Sequence, residues 1–474
     1  MNATGDEKGA GIGFGADSSG NFIIINNGTI IAVGGSNGAG IGGGMQASGG
    51  SITINAGKVR ATGGNCGAGI GGGAWGSGGE VRIKAGVVTA QTDGSSDNNS
   101  QAIGHGSAGD KSSGLLSVYG MRIYDSASAE TPVTASRSIE VCRSAYARVE
   151  QCSPHVFEND VCQYCGIYTG GISYVDASGK PQICSNYFIL KSSDTQLDGS
   201  WYAATEDIDF GDNRLKIISK VNLILCDGVT LTFPKGIHVR NTGDLTIWQQ
   251  SGGTGKLNVV RPDENNAGIG GGGKGDGGTI KINGGKVHAT GGRHGAGIGS
   301  GEERAQLHPL SMGRVTISGG EVHATGGFKG GGIGFGLVNN AKEGSITITG
   351  GKVNIISRKA VSEEYRGVTN LTLGLSGEDD YINAGHFYPK TVTLLTPMHY
   401  SLNGNDTGPV TTTNLSEKAA NAIIVPGKSD AGVSISEGDL NITYGEGVIS
   451  LTGNTKRKST DGVWTWTSSD PDVA

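Results

Sequence analysis

The stretch Gly38-Ala-Gly-Ile-Gly42, followed by Ser51-Ile-Thr-Ile-Asn55, Lys58-Val-Arg-Ala-Thr62 and then Gly67-Ala-Gly-Ile-Gly71, decides the fold. The glycine phrase also stands at 9–13. It returns as Asn-Ala-Gly-Ile-Gly at 266–270, Gly-Ala-Gly-Ile-Gly at 295–299 and Gly-Gly-Gly-Ile-Gly at 330–334. Its central isoleucines Ile12, Ile41 and Ile70 are spaced by 29 residues, as are Ile269 and Ile298. Ile333 follows after 35, and a drifted copy, Gln101-Ala-Ile-Gly104, puts Ile103 33 residues after Ile70.

The segments between the glycine phrases alternate apolar and polar residues, the period of a half-buried strand. They recur as Thr279-Ile-Lys-Ile-Asn283 with Lys286-Val-His-Ala-Thr290, and as Arg314-Val-Thr-Ile-Ser318 with Glu321-Val-His-Ala-Thr325. Asn-Gly and Gly-Gly pairs, which accept positive φ, separate them. One repeat is thus three short strands and three turns. Such a unit cannot bury its apolar face alone and must stack on copies of itself. Stacking puts Ile52, Ile54, Val59, Ala61 and Ile70 inside, in ladders with their kin Ile280, Ile282, Val287, Ala289 and Ile298. The fold class is all-β, a right-handed parallel β-helix, with the hand taken from the general chirality of parallel crossovers. A propeller blade needs about 40–45 residues, more than this repeat offers.

Composition agrees. Of 474 residues 88 are Gly, 17% are charged and the net charge is −6. The chain has no apolar run long enough for a transmembrane helix. Its glycine lacks the three-residue period of collagen. It shows no basic excess for nucleic acid, and glycine at this density opposes a helical bundle. The glycine run also matches G-x-G-x-x-G at Gly38, Gly40 and Gly43, but no helix follows and serial copies suit stacking, not a nucleotide.

Residues 1–136 read as the closing coils of a first β-helix, and 176–415 as a second. Its opening coils, such as Lys220-Val-Asn-Leu-Ile-Leu-Cys-Asp-Gly228, lack the glycine phrase. Between them, 137–175 form a linker carrying Cys152-x2-His155-x6-Cys162-x2-Cys165-Gly166. Four soft or borderline ligands in two close pairs fit a tetrahedral structural zinc, with an oxidised cysteine pair as the alternative. Four protein ligands leave no open position for catalysis. Cys142 is near enough in sequence to compete, at poorer spacing. Cys226 is expected to face inward or cap a coil, and no pairing follows for Cys66 or Cys184. Residues 416–474 read as a linker and a truncated further domain. No charged and apolar leader follows Met1, and the sequence is expected to be a fragment of something larger.

The phrases Leu223-Ile-Leu-Cys-Asp-Gly228, Asp244-Leu-Thr-Ile247, Gly253-Thr-Gly-Lys-Leu257 and the Gly-Ala-Gly-Ile-Gly repeats resemble β-helix modules of very large surface proteins from anaerobic Gram-positive gut bacteria, modules described as carbohydrate-binding or adhesin-like. The Cys-His run is similar to a zinc knuckle of the same proteins. The ending Val463-Trp-Thr-Trp-Thr-Ser-Ser-Asp-Pro-Asp-Val-Ala474 is similar to the opening half of a bacterial Ig-like group 2 domain. The resemblance implies an extracellular, cell-surface location, a glycan or host surface protein as partner, and no membrane span within this stretch.

The same fold hosts pectin lyases and polygalacturonases, so catalysis has to be sought in residues. Gly104-His105-Gly106 and Arg82-Ile-Lys84 occur in the reverse of the polygalacturonase order. The former aligns with Gly71-Gly72-Gly73 and reads as a drifted corner. Asp379-Asp380 reads as a solvated turn. No catalytic residue is assigned, and a polysaccharide lyase or glycoside hydrolase stands as the alternative to a non-catalytic binding module or stalk spacer.

For binding, the alternation turns Lys58, Arg60, Lys286, His288, Glu321 and His323 outward, with His288 above His323. This is either a solvated face or a shallow polar stripe for a glycan or an acidic sugar. The corner 301–313 carries the insertion behind the 35-residue step and offers Glu302, Glu303, Arg304 and His308. Insertions in solenoids collect on one face, often the binding one. Trp75 replaces Gln46 of the preceding copy and is either a platform for a sugar ring or a cover for the next coil. Trp248, at a strand end, reads as cover for the solenoid edge.

Overall fold

The computed structural model describes residues 1–356 apart from 19–21, 94–98, 110–114, 119, 136–137, 261, 264, 274, 303–310 and 339–343. Beyond 356 it describes 369–375, 380–384, 391–396, 398–402, 405–409, 422–426, 434–436 and 439–441. The chain divides into two units, Met1–Pro426 and Gly427–Ala474. Of the second, the described part is a hairpin, Ser434–Ser436 with Asp439–Asn441. The Ig-like ending at 463–474 lies outside the described residues.

Each glycine-phrase repeat makes one rung of three strands, such as Ser51–Ile54, Lys58–Thr62 and Ile70–Gly71. Each strand pairs in parallel with its counterpart one repeat on: Ile52 with Ile23 and Val81, Val59 with Ile30 and Val88, Ile70 with Ile41 and Ile103. Rungs therefore sit directly above one another with no shift of register. Equivalent polar residues stack too: the Asn55 side-chain amide donates to Asn26 Oδ1 at 2.8 Å, and Ser77 Oγ to Ser48 Oγ at 3.0 Å.

The expected interior is observed. Ile52, Ile54, Val59, Ala61 and Ile70 are buried, and so are Ile280, Ile282, Val287, Ala289 and Ile298. They occupy two separate cores, so there are two sets of ladders and not one continuous set. Each fully buried isoleucine contributes about 2 kcal/mol through removal of its surface from water.

The first parallel stack runs from Asn2–Thr4 to Val87–Gln91 and ends on two antiparallel strands, Tyr146–Gln151 and Met121–Tyr124. Antiparallel closure occupies the edge that a further rung would otherwise take. The second stack has three sheets. One runs in parallel from Phe188–Ile189 to Thr391–Leu394, the next from Gln196–Leu197 to Ile333–Gly334, and the third from Ile208–Asp209 to Tyr381–Ala384. The third then closes on antiparallel strands Ala422–Pro426, Met398–Leu402 and Asn405–Pro409. The described residues hold one short helix, Ser138–Cys142, and no helix long and apolar enough to cross a membrane.

The Ile-Gly corner explains the glycine content. Gly13, Gly42, Gly71 and Gly104 form one column with φ of 138°, 132°, 136° and 149°, a region that side chains disfavour. A Cβ on Gly71 would overlap the Gly104 carbonyl oxygen of the next rung. The opening coils of the second stack lack this phrase and carry larger groups elsewhere in their interior. Phe210 stacks on Phe233 with centroids 4.4 Å apart, and Tyr202 is fully buried. His238 stands in register with Gly270. Burial, with the Arg214 and Lys216 charges beside it, pushes its imidazole down to about 4.

Gly71→Ala should destabilise the protein by about 3 kcal/mol or more in urea unfolding. Gly15→Ala, with nothing within 4 Å of its would-be Cβ, should stay within about 0.5 kcal/mol of wild type. Equal effects would contradict the close-approach account. For His238 the unfolded imidazole titrates near 6.5 and the folded one near 4, so the unfolded state binds the extra proton. Stability should fall as the pH drops from about 6.5 toward 4, and His238→Asn should flatten that part of the curve.

Candidate functional site

The cysteine cluster is built by turn chemistry. Phe157–Glu158 and Val161–Cys162 form a hairpin whose two loop residues, Asn159 and Asp160, have φ of 51° and 63°. Both values fit a type I′ turn, which Asn and Asp accept. Gly166, at φ 73°, then turns the chain, and its N–H donates to the Cys162 carbonyl at 2.8 Å. Cys152, following the strand Tyr146–Gln151, approaches from the closing sheet of the first stack.

The four ligand atoms of Cys152, His155, Cys162 and Cys165 all lie within 4.8 Å of one another. Cys152 Sγ is 3.6 Å from Cys162 Sγ, and Cys165 Sγ is 3.5 Å from His155 Nδ1. Metal–sulfur and metal–nitrogen bonds of about 2.3 and 2.0 Å in a tetrahedron put ligand atoms about 3.4–3.8 Å apart. The residues therefore fit a tetrahedral ion, and the cysteines stand as free thiols. Burial raises the Cys152 thiol to about 11. Burial alone would raise Cys162 too, but the backbone N–H groups of Cys165 and Tyr164 outweigh it and hold that thiol at about 6. Cys142 does not compete: it is buried in the first hydrophobic core, which pushes its thiol up to about 12. Cys184 and Cys226 are buried in the second core.

His288 and His323 are direct register partners in the third sheet, with ring centroids 4.6 Å apart. The His323 Nε2–H donates to Glu321 Oε1 at 2.9 Å, and Lys286 Nζ lies 3.5 Å from Glu321 Oε2. Those contacts, led by the His323 hydrogen bond, hold the Glu321 carboxyl below its usual range. Partial burial and the neighbouring His323 lower the His288 imidazole.

Trp75 is exposed at 57%, with φ 59°. It belongs to a corner column with Asp17, Gln46 and Ala108, all exposed with φ between 54° and 61°. Trp248 does cover: its ring stacks on Trp201 with centroids 5.8 Å apart, Tyr174 lies edge-on to it, and its indole N–H donates to Asn222 Oδ1. Glu302 departs from expectation. It is buried, with Oε2 3.0 Å from His294 Nδ1, so it supports the corner from inside instead of facing a ligand. Glu303, Arg304 and His308 lie outside the described residues, as does Asp379. Asp380 accepts the Gly351 N–H at 2.7 Å and is a turn partner. His105 is buried, bonds the Gly106 carbonyl and stands next to Gly104, which pairs with Gly71, so this segment is a corner as read.

Sequence reasoning missed two clefts. One, of about 250 Å³, lies between the stacks and is lined by Ser51, Thr53, Glu80, Arg82, Ser117 and Arg240, among others. There Arg82 Nε is 2.7 Å from Asp198 Oδ2, Ser117 Oγ donates to the same carboxylate at 2.6 Å, and Arg240 pairs with Glu80. The other, of about 450 Å³, runs along the second stack past Asp276, Thr279, Ser311, Arg314 and Ser345. Asn241 lines both. Thr279, Arg314 and Ser345 are one outward column, visible as three repeats of one strand position. The inter-stack contacts join residues remote in sequence and leave no such signal.

A family model described as a β-helix repeat matches residues 23–45, 52–74, 280–302 and 315–334, two rungs in each stack. No curated protein and no solved structure matches the chain.

Proposed function

We propose that this β-helix repeat protein is a non-catalytic, extracellular cell-surface module that binds glycan through the cleft along its second stack. The observation that carries this reading is the cleft lining. Thr279, Arg314 and Ser345 stand on one sheet with Asn241 and Ser311 on the loops beside it, and together they present amide, hydroxyl and guanidinium groups, with Asp276 the sole carboxylate among the described lining residues. Sugar hydroxyls pair with such groups, and Arg314 favours an acidic sugar. Glycoside hydrolysis needs two carboxylates about 5–9.5 Å apart. In the inter-stack cleft both guanidiniums are already paired with carboxylates, which argues against an arginine base for a lyase. The resemblance to adhesin-like surface modules supports the same reading, with Trp75 as a second, separate sugar platform.

The ion of the Cys152, His155, Cys162 and Cys165 cluster is proposed to be zinc, in a structural role. It would pin the segment between the stacks, which has few apolar side chains of its own to bury.

A glycan array followed by calorimetry should find an acidic oligosaccharide that binds without being cleaved. Arg314→Ala should weaken it by about tenfold or more, the worth of a charge-assisted hydrogen bond. No hit, or release of unsaturated or reducing-end products, would contradict the proposal. Metal analysis of dialysed protein should find about one zinc per chain, lost in Cys165→Ser with the β-sheet circular dichroism kept. A metal-free protein with disulfide-bonded cysteines would refute the zinc assignment.

A further inference from the structure

The outward column of the third sheet in the second stack reads Asn258, His288, His323 and Asn354 in successive rungs. The column two residues earlier reads Lys256, Lys286, Glu321, Lys352 and Tyr381. The register thus sets two imidazoles on adjacent strands, about 4.8 Å apart by sheet geometry, with one carboxylate two residues before the second imidazole and on the same face. One ring nitrogen from each of His288 and His323 and one Glu321 oxygen lie within 4.8 Å of one another.

We propose that His288, His323 and Glu321 form a second metal site, for a divalent transition ion of the zinc type, separate from the cysteine cluster. Three features support it. The ligand set is two imidazoles and a carboxylate, which suits zinc-type ions and not the all-oxygen shells of calcium or magnesium. The backbone ladder on both sides fixes the spacing, so the ligands sit on a rigid scaffold. The side chains are at least partly exposed, and their ligand atoms, already within 4.8 Å of one another, would close by side-chain rotation to the separation of about 3.3 Å that two nitrogens take around zinc. Binding would replace the His323–Glu321 hydrogen bond by two bonds to the ion, with the His323 ring proton moving from Nε2 to Nδ1 so that the imidazole stays neutral.

Three protein ligands leave at least one coordination position open to solvent. The site would therefore offer an outside oxygen ligand, such as a carboxylate, a place on the ion. The first stack supplies an internal contrast. Its equivalent column reads Ile31, Arg60 and Thr89, with no metal ligand.

The test is a zinc titration of the full-length chain, started with the cysteine cluster loaded and followed by calorimetry. Wild type should take up about one further equivalent. His288→Asn and His323→Asn should each abolish that second event and leave the first, and Glu321→Gln should weaken it. Cobalt in place of zinc should give a second equivalent without the thiolate-to-metal absorption that the first displays. These surface variants should keep the wild-type melting temperature in chelator. No second event in wild type, or one that survives in the double histidine variant, would overturn the proposal. Either result would leave the zinc assignment at the cysteine cluster untouched.

Discussion

The glycine-phrase rungs can stack as closely as they do only because nothing protrudes where their backbones meet at the Ile-Gly corner. The column Gly13, Gly42, Gly71 and Gly104 puts each rung's backbone where the neighbouring residue's side chain would otherwise begin. In the second stack a Cβ on Gly270 or Gly299 would likewise overlap the carbonyl oxygen of Gly299 or Gly334 in the next rung. This approach lets isoleucines such as Ile41 and Ile70 meet inside and keeps every rung in register with the next. Register in turn places like residues above like residues on the outside. That is why a polar column can become a cleft wall and a histidine column a pair of ligands.

The fold was legible because its information is local and repeated. Ile52, Ile54, Val59 and Ala61 declare their inward face within one repeat, and the next copy declares the same face again. The cysteine spacing was legible for a similar reason: two pairs close in sequence need only a two-residue turn to meet, and Asn159-Asp160 supplies it. The His288 and His323 pairing followed from the same alternation and register.

What the sequence hid is non-local. Asp198 receives Arg82 and Ser117 from the other stack, and no periodicity links these residues. Glu302 looked like an exposed acid on an inserted corner. In fact the corner folds its carboxylate inward to His294, a partner outside the insertion. Trp75 could be placed at its corner, but not oriented. Its positive φ, shared with Asp17 and Gln46, carries the side chain outward. Fold and site therefore differ in kind: the first is a property of one repeat, the second of the exceptions to it.

The claim that one repeat makes one rung can be tested by pairwise cysteine crosslinking on the outer face. Arg60 and Thr89 are direct partners in adjacent rungs, whereas Arg60 and Val87 are offset by two residues. Directly opposed Cα atoms on neighbouring parallel strands lie about 4.8 Å apart and those offset by two residues about 8 Å, and a disulfide spans about 4.4–6.8 Å. Under mild oxidation, Arg60→Cys with Thr89→Cys should form the disulfide, and Arg60→Cys with Val87→Cys should not, as read by peptide mass mapping. Equal crosslinking of both pairs, or crosslinking of the offset pair alone, would contradict the stacked-rung account.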